Sequence, residues 1–226
     1  MYVLHYAPDN ASLIVRLALE ALRVPYRTAL VDRAAWAQRS ARYLALNPNG
    51  LIPALETPDG PLFETGAILL WLTDRHGQIG PAASDPARGG WLKWLFFVAN
   101  TLHPALRQTF YPGKYVAGGH ESALRTGLQP VIAASFDRLE DVAAEGRVLG
   151  RGDSALDFYV AACLRWRALY PAETERQWYT PGPALNRLCA GVEALPACAA
   201  LIHAEGLGTH PFTAPELPQP PEGSAT

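Results

Sequence analysis

Short β-type runs alternate with helical patterns up to about residue 80, and beyond it the helical pattern continues alone. A chain of this kind must build a small mixed layer first and a separate helical layer second, because strands and helices bury their apolar faces differently. Tyr2 to Tyr6 reads as a strand, followed by the turn cluster Pro8-Asp9-Asn10. Leu13, Leu17, Ala18 and Ala21 recur at helical spacing from Ala11 to Leu22, and Pro25 ends that helix. Tyr26 to Val31 forms a second strand, and a helix is expected over Ala34 to Leu46, ending before Pro48. Ile52 to Glu56 and Leu62 to Glu64 flank the hairpin turn Pro58-Asp59-Gly60, and a third helix is expected over Thr65 to Arg75.

The order β-α-β-α-β-β-α is a thioredoxin-like layout. A right-handed crossover sets the first two strands parallel, and the hairpin adds an antiparallel pair. Gly, Pro, Ser and Asp collect between Gly77 and Gly90. The chain therefore divides into an α/β domain (1–77), a linker (78–90), an all-helical domain (91–210) and a Pro-rich tail (211–226). Helices are expected within Trp91 to Phe110, over Glu121 to Ala144, Ala155 to Leu169, Pro183 to Gly191 and Leu195 to Glu205. Ser154 and Asp157 have the spacing of a capping box. The tail holds five prolines and is expected to trail from the fold. No internal repeat is visible.

With 19 basic against 21 acidic side chains, the net charge of −2 supplies no field for nucleic acid or an anionic membrane surface. No run approaches the ~18 uncharged apolar residues of a membrane span. The start, Met1-Tyr2-Val3-Leu4-His5, lacks the basic lead of a signal peptide, so a cytoplasmic location is expected. Cys163, Cys189 and Cys198 are neither paired nor spaced for zinc, and read as buried apolar fillers; no metal site is expected.

Two segments carry chemistry. In Asn47-Pro48-Asn49-Gly50-Leu51-Ile52-Pro53-Ala54-Leu55, a proline opens a strand after a turn, a place where an X-Pro bond tolerates cis geometry. A cis Ile52-Pro53 bond would turn the Ile52 backbone outward to pair with an extended peptide-like ligand. An ordinary turn is the plainer alternative. Glu64-Thr65-Gly66-Ala67-Ile68 follows at a strand-to-helix junction, with Thr65 expected as the N-cap. Free N–H groups at a helix start attract a carboxylate, and the adjacent Glu64 can hold an ammonium. Together they suit an amino-acid head group; simple capping is the alternative.

In order and spacing, these segments resemble the bacterial glutathione S-transferases over about residues 1 to 210. Leu4-His5-Tyr6-Ala7-Pro8 leading to Ser12, Asn100-Thr101-Leu102-His103-Pro104, and Ser154-Ala155-Leu156-Asp157 with Trp166 complete the match. The resemblance implies a thioredoxin-like domain binding glutathione as co-substrate, a helical domain forming a pocket for a small hydrophobic electrophile, and a homodimer. By position, Ile52 and Pro53 would meet the cysteinyl part, Glu64 and Thr65 the γ-glutamyl head, and Gln38 and Arg39 the glycine carboxylate. Tyr6 and His103 would face the thiol or the second substrate; a structural tyrosine and a helix histidine satisfied within the fold are the alternatives.

The chain departs from the beta-type members at one point: Ala11 stands where their catalytic cysteine does. A mixed disulfide cannot form at alanine, which leaves activation of the glutathione thiol. A free thiol has a pKa near 8.5, and lowering it by ~2 units requires about 2.7 kcal/mol of preference for the thiolate. One hydrogen bond to the charged form contributes roughly 1.5–3 kcal/mol. Ser12 and Asn10 are the first candidates for that donor, with Tyr6 and turn amides behind them; Asp9 would repel a thiolate unless turned away. Transferase activity is expected. The alternatives are a glutathione-dependent peroxidase, reductase or isomerase on the same scaffold, and a non-catalytic glutathione-binding or scaffold protein.

Overall fold

The computed structural model describes residues 1–171 and 179–225; the segment 172–178 of the expected helical domain and Thr226 of the expected tail lie outside the described residues. Four strands make one sheet in the order β2-β1-β3-β4, with β1 at Tyr2–Tyr6, β2 at Tyr26–Leu30, β3 at Ala54–Thr57 and β4 at Gly60–Phe63. β1 runs parallel to β2, with Leu4 opposite Thr28, and antiparallel to β3, with Leu4 opposite Leu55. β3 and β4 form the hairpin.

Helix α1 (Ser12–Leu22) makes the crossover between β1 and β2. Nine of its eleven residues are buried, so it is a central helix and not a surface one. It packs against α3 (Thr65–His76), α7 (Ala155–Leu169) and α9 (Pro196–Glu205), and so forms the seam between sheet and helices. The continuous helix expected over Ala34 to Leu46 is instead a 3-10 turn at Ala37–Arg39 and a single turn, α2 (Ala41–Leu44). Ser40 causes the restart, because its hydroxyl accepts the Tyr43 N–H at 3.2 Å and caps a new helix.

In the all-helical remainder, α4 (Arg88–Phe97) passes through a π-type turn at Val98–Leu102 into α5 (His103–Phe110). α6 spans Glu121–Glu145 and α8 spans Pro183–Glu193. Because α4 starts at Arg88, the last residues of the expected linker are helical. α7 begins at a complete capping box, with Ser154 Oγ accepting the Asp157 N–H at 3.2 Å and Asp157 accepting the Ser154 N–H at 3.0 Å. The three cysteines are buried, and burial pushes Cys189 and Cys198 up to about 12. Among the described residues no single helix is long and apolar enough to cross a membrane.

The tail does not trail from the fold. Phe212 is buried, the Gln219 N–H bonds to Gly206 O at 2.8 Å, and the Tyr6 hydroxyl bonds to Glu222. Gly206 permits the approach, since a Cβ there would stand 2.0 Å from Gln219 O. Arg165, with no exposed surface, supplies the main anchor. It donates to Pro211 O and Glu216 O, both at 3.0 Å, while its Nε and Nη2 grip the two Asp9 oxygens at 2.9 Å. Proline content predicts freedom only where nothing pairs with the backbone carbonyls; here a buried guanidinium does.

One cation thus joins the first turn, α7 and the tail. Arg165→Leu leaves the Asp9 carboxylate buried without its counter-charge and is expected to cost about 3–5 kcal/mol of unfolding free energy in urea titrations. Faster amide exchange over 211–225 should accompany it.

Candidate functional site

A cavity of about 810 Å³ opens between the end of β1, the start of β3, the start of α3 and the faces of α5 and α7, and the tail forms part of its wall. The sheet side is built by three turns. The first, Pro8-Asp9-Asn10-Ala11, is held from below. Asp9 adopts a positive φ of 47°, and its carboxylate accepts from Arg165, from Trp166 Nε1 at 3.0 Å and from the Tyr170 hydroxyl at 2.8 Å. Its N–H donates to Glu205 at 2.9 Å, and Glu205 also accepts Arg16 Nε at 2.8 Å. Burial pushes Glu205 up to about 7 against the opposing pull of Arg16. The Asp9 charge is thus buried and neutralised.

Asn10 and Ala11 line the cavity above that support. Asn10 Oδ1 accepts the Ala11 N–H at 2.8 Å, which orients the side-chain amide and leaves its two N–H donors without a protein partner among the described residues. Ser12 does not reach the cavity. It has no exposed surface, and its Oγ both donates to Ala7 O at 3.0 Å and accepts the Ala7 N–H at 3.3 Å. The hydroxyl closes the β1–α1 turn and has no donor left for a ligand. Tyr6 is likewise absent from the wall: its ring lies under Arg16, 4.5 Å from the centroid, and its hydroxyl is taken by Glu222. Burial and that carboxylate push the phenol up to about 12.

The second turn brings Ile52 and Pro53 to the wall, across a cis Ile52-Pro53 bond. Gln38 also lines the cavity, and its Oε1 is buried with no hydrogen-bond partner. Arg39 sits outside the wall, exposed, with its guanidinium 3.5 Å from Asn49 O. At the third turn α3 begins with Thr65 itself, so Thr65 is the first helical residue and Glu64 occupies the cap position. Glu64 holds φ 69° and ψ 113°, and no side chain caps the helix. The strained backbone and the uncapped N–H groups both face the cavity, where Glu64, Thr65 and Gly66 line it.

The helical side contributes His103, at the first position of α5, and Tyr159, Trp166 and Tyr170 from α7 and its end. His103 Nδ1 lies 2.8 Å from the Tyr159 hydroxyl, and its ring tilts against Trp166 at 5.2 Å. Thr65 stands beside the Tyr159 hydroxyl. Where the Tyr159 hydroxyl donates to Nδ1, the neutral imidazole carries its proton on Nε2; where Nδ1 donates, Nε2 is an acceptor. The sequence reading missed Tyr159, although it stands seven residues before Trp166 and therefore on the same helix face. It also missed Arg33, Arg107 and Lys114, which no motif marks and which line the same cavity.

The family model for the glutathione S-transferase N-terminal domain matches residues 11–75. A maleylacetoacetate isomerase of Rhizobium meliloti is 32% identical over 199 residues, covering 84% of this chain and 91% of that protein. The glutathione S-transferase GST-4.5 of Xanthomonas campestris is 30% identical over 173 residues, covering 72% and 81%. Among solved structures, a glutathione transferase homologue from Sulfitobacter with bound glutathione superposes with a TM-score of 0.75 at 26% identity, over 89% of this chain and 96% of that one.

Burial, reinforced by the Arg107 charge, pushes His103 from 6.5 down to about 4. The unfolded chain therefore binds a proton that the folded one refuses between those values. Stability from this group is complete above pH 6.5 and is lost as pH falls toward 4. The loss should reach about 3 kcal/mol. Denaturation curves of His103→Gln should show a flatter dependence than the parent across this window.

Proposed function

The chain belongs to the glutathione S-transferase family, and from that premise we propose that it binds glutathione and activates its thiol for attack on a hydrophobic electrophile. One observation carries this reading: the uncapped start of α3, the Ile52-Pro53 strand end and the free Asn10 amide share one cavity. The γ-glutamyl carboxylate docks on the first N–H groups of α3, and its ammonium pairs with Glu64. Ile52 offers its backbone to the cysteinyl unit beside Pro53. Gln38 presents an unpaired acceptor to a glycyl N–H, with Arg39 near the glycine carboxylate. The Sulfitobacter homologue, solved with glutathione bound, supports glutathione as the ligand. Residues 1–77 thus hold glutathione and 91–210 receive the second substrate, joined by 78–90. Family membership also supports a homodimer in the cytoplasm.

Asn10 is the thiol-activating donor in this mechanism. Its amide N–H groups hydrogen-bond the thiolate, the Asp9 carboxylate below is already neutralised, and His103, in the tautomer that accepts from Tyr159 at Nδ1, adds its Nε2–H as a second donor from the helical side. The thiol proton leaves to solvent. The sulfur pair then forms the S–C bond as the leaving group departs with its own pair, or as a conjugated acceptor takes up a proton. Mixed-disulfide chemistry finds no thiol in the turn, because Ala11 occupies it and the three cysteines are buried. Kinship with the Rhizobium isomerase favours a second reading, in which the same thiolate adds to a double bond and leaves again.

The thiolate absorbance of bound glutathione across pH tests the proposal. Saturable binding with a thiol pKa about 2 units below the free value is expected. Asn10→Ala should return the pKa upward by at least about 1 unit. Ser12→Ala should leave it in place and instead cost roughly 1–3 kcal/mol of stability, since the Ala7 N–H and C=O lose their partner. A pKa that follows Ser12 and ignores Asn10 would sink this assignment.

A further inference from the structure

Cations gather along one side of the cavity where no acid meets them. Arg33, Arg107 and Lys114 all line it, and all three surround a single ring. Their charged groups lie 5.9, 6.0 and 4.4 Å from the Tyr111 centroid. Arg33 Nη2 donates to the Tyr111 hydroxyl at 2.9 Å, and Arg107 Nη1 donates to the Tyr115 hydroxyl. Among the described residues no carboxylate lies within ion-pair distance of any of the three. Burial and then the neighbouring cations Arg107, Arg33 and Arg39 hold the Lys114 ammonium below its ordinary value, with no acid offsetting them. Of the acids on the cavity wall, Asp9 is consumed by Arg165, and Glu64 stands across at the start of α3.

Like charges held together without counter-charge are stable only where they are solvated or where an anion arrives. Phenolic oxygens accept from two of these cations and bring no carboxylate to them. In the proposed pose glutathione brings two carboxylates, one at the start of α3 and one beside Gln38 and Arg39, both on the sheet side. Arg107 and Lys114 come from α5 and the turn that follows it, so they face the second substrate. Phe110, Tyr111, Tyr115 and Tyr170 supply flat apolar surface next to them. Building on the glutathione reading, we infer that the acceptor substrate of this site is an apolar or planar electrophile carrying a carboxylate, which Arg107 and Lys114 hold over Tyr111.

Binding of two glutathione conjugates tests this without requiring either parent electrophile to react: S-(4-carboxybenzyl)glutathione and its benzoate methyl ester, measured by calorimetry. The acid should bind about tenfold more tightly than the ester, with the advantage shrinking as salt rises. Arg107→Gln/Lys114→Gln should bring the two together while affinity for glutathione itself is retained. Lys114→Gln alone, at an exposed position, should remove part of the difference, and serves if the double variant does not fold. Equal or tighter binding of the ester overturns the inference. So does a double variant that loses glutathione affinity in parallel, since the cations would then serve the glycine carboxylate. If neither the conjugates nor glutathione bind, the glutathione reading falls and this inference with it.

Discussion

The Asp9–Arg165 pair is the interaction on which the rest of the site depends. Both side chains have no exposed surface, and the guanidinium reaches both carboxylate oxygens. Burying two charges is costly, and the pair persists because nearly every remaining lone pair and N–H is used. Trp166 and Tyr170 complete the carboxylate, and main-chain carbonyls of the tail complete the guanidinium. The geometry follows from this saturation. A left-handed Asp9 can be held only by so many partners, and that backbone reversal is what presents Asn10 and Ala11 to the cavity. A second buried pair, Arg16–Glu205, ties the same turn to α9 through the Asp9 N–H. First turn and helical layer are therefore one electrostatic unit.

That arrangement removes an electrostatic obstacle to thiolate chemistry. A carboxylate beside a forming thiolate would raise the thiol pKa, yet the Asp9 oxygens point into α7 and are neutralised there. What remains toward the cavity is donor-rich: the Asn10 amide and the uncapped start of α3. The His103–Tyr159 bond joins α5 to α7, and Thr65 of α3 stands beside it on the opposite wall. Depression of the His103 pKa keeps the imidazole neutral over the pH range where a thiol ionises.

Elements whose ends carry local chemistry were legible from sequence. α7 begins and ends at the expected residues because Ser154 and Asp157 start it by a reciprocal bond that spacing alone reveals. The Ile52-Pro53 and Glu64-Thr65 segments lie on one cavity, as the resemblance implied. The misreadings share a cause. Ser12 sits one residue from the cavity wall, but whether its hydroxyl faces ligand or backbone depends on the Ala7 groups below it, which no pattern announces. Thr65 resembles a cap by residue type, yet the positive φ of Glu64 moves the helix start by one residue. The tail has the composition of a free segment and is held by carbonyl bonds, to which sequence patterns are blind.

Net charge concealed the cation cluster in the same way. A total of −2 describes a surface with no overall field, while Arg33, Arg107 and Lys114 concentrate positive charge around one tyrosine. Local potential decides what enters a cleft, because low-dielectric walls focus the field of the charges that line it. The cluster is also joined to the tail, since Arg33 donates both to the Tyr111 hydroxyl and to Ala225 O. The two contacts use different nitrogens, Nη2 for the Tyr111 hydroxyl and Nη1 for Ala225 O, so one guanidinium serves the ring and the tail at once. The tail thereby forms the wall beside the cations, and the local charge of the cleft is set by residues from three separate stretches of the chain.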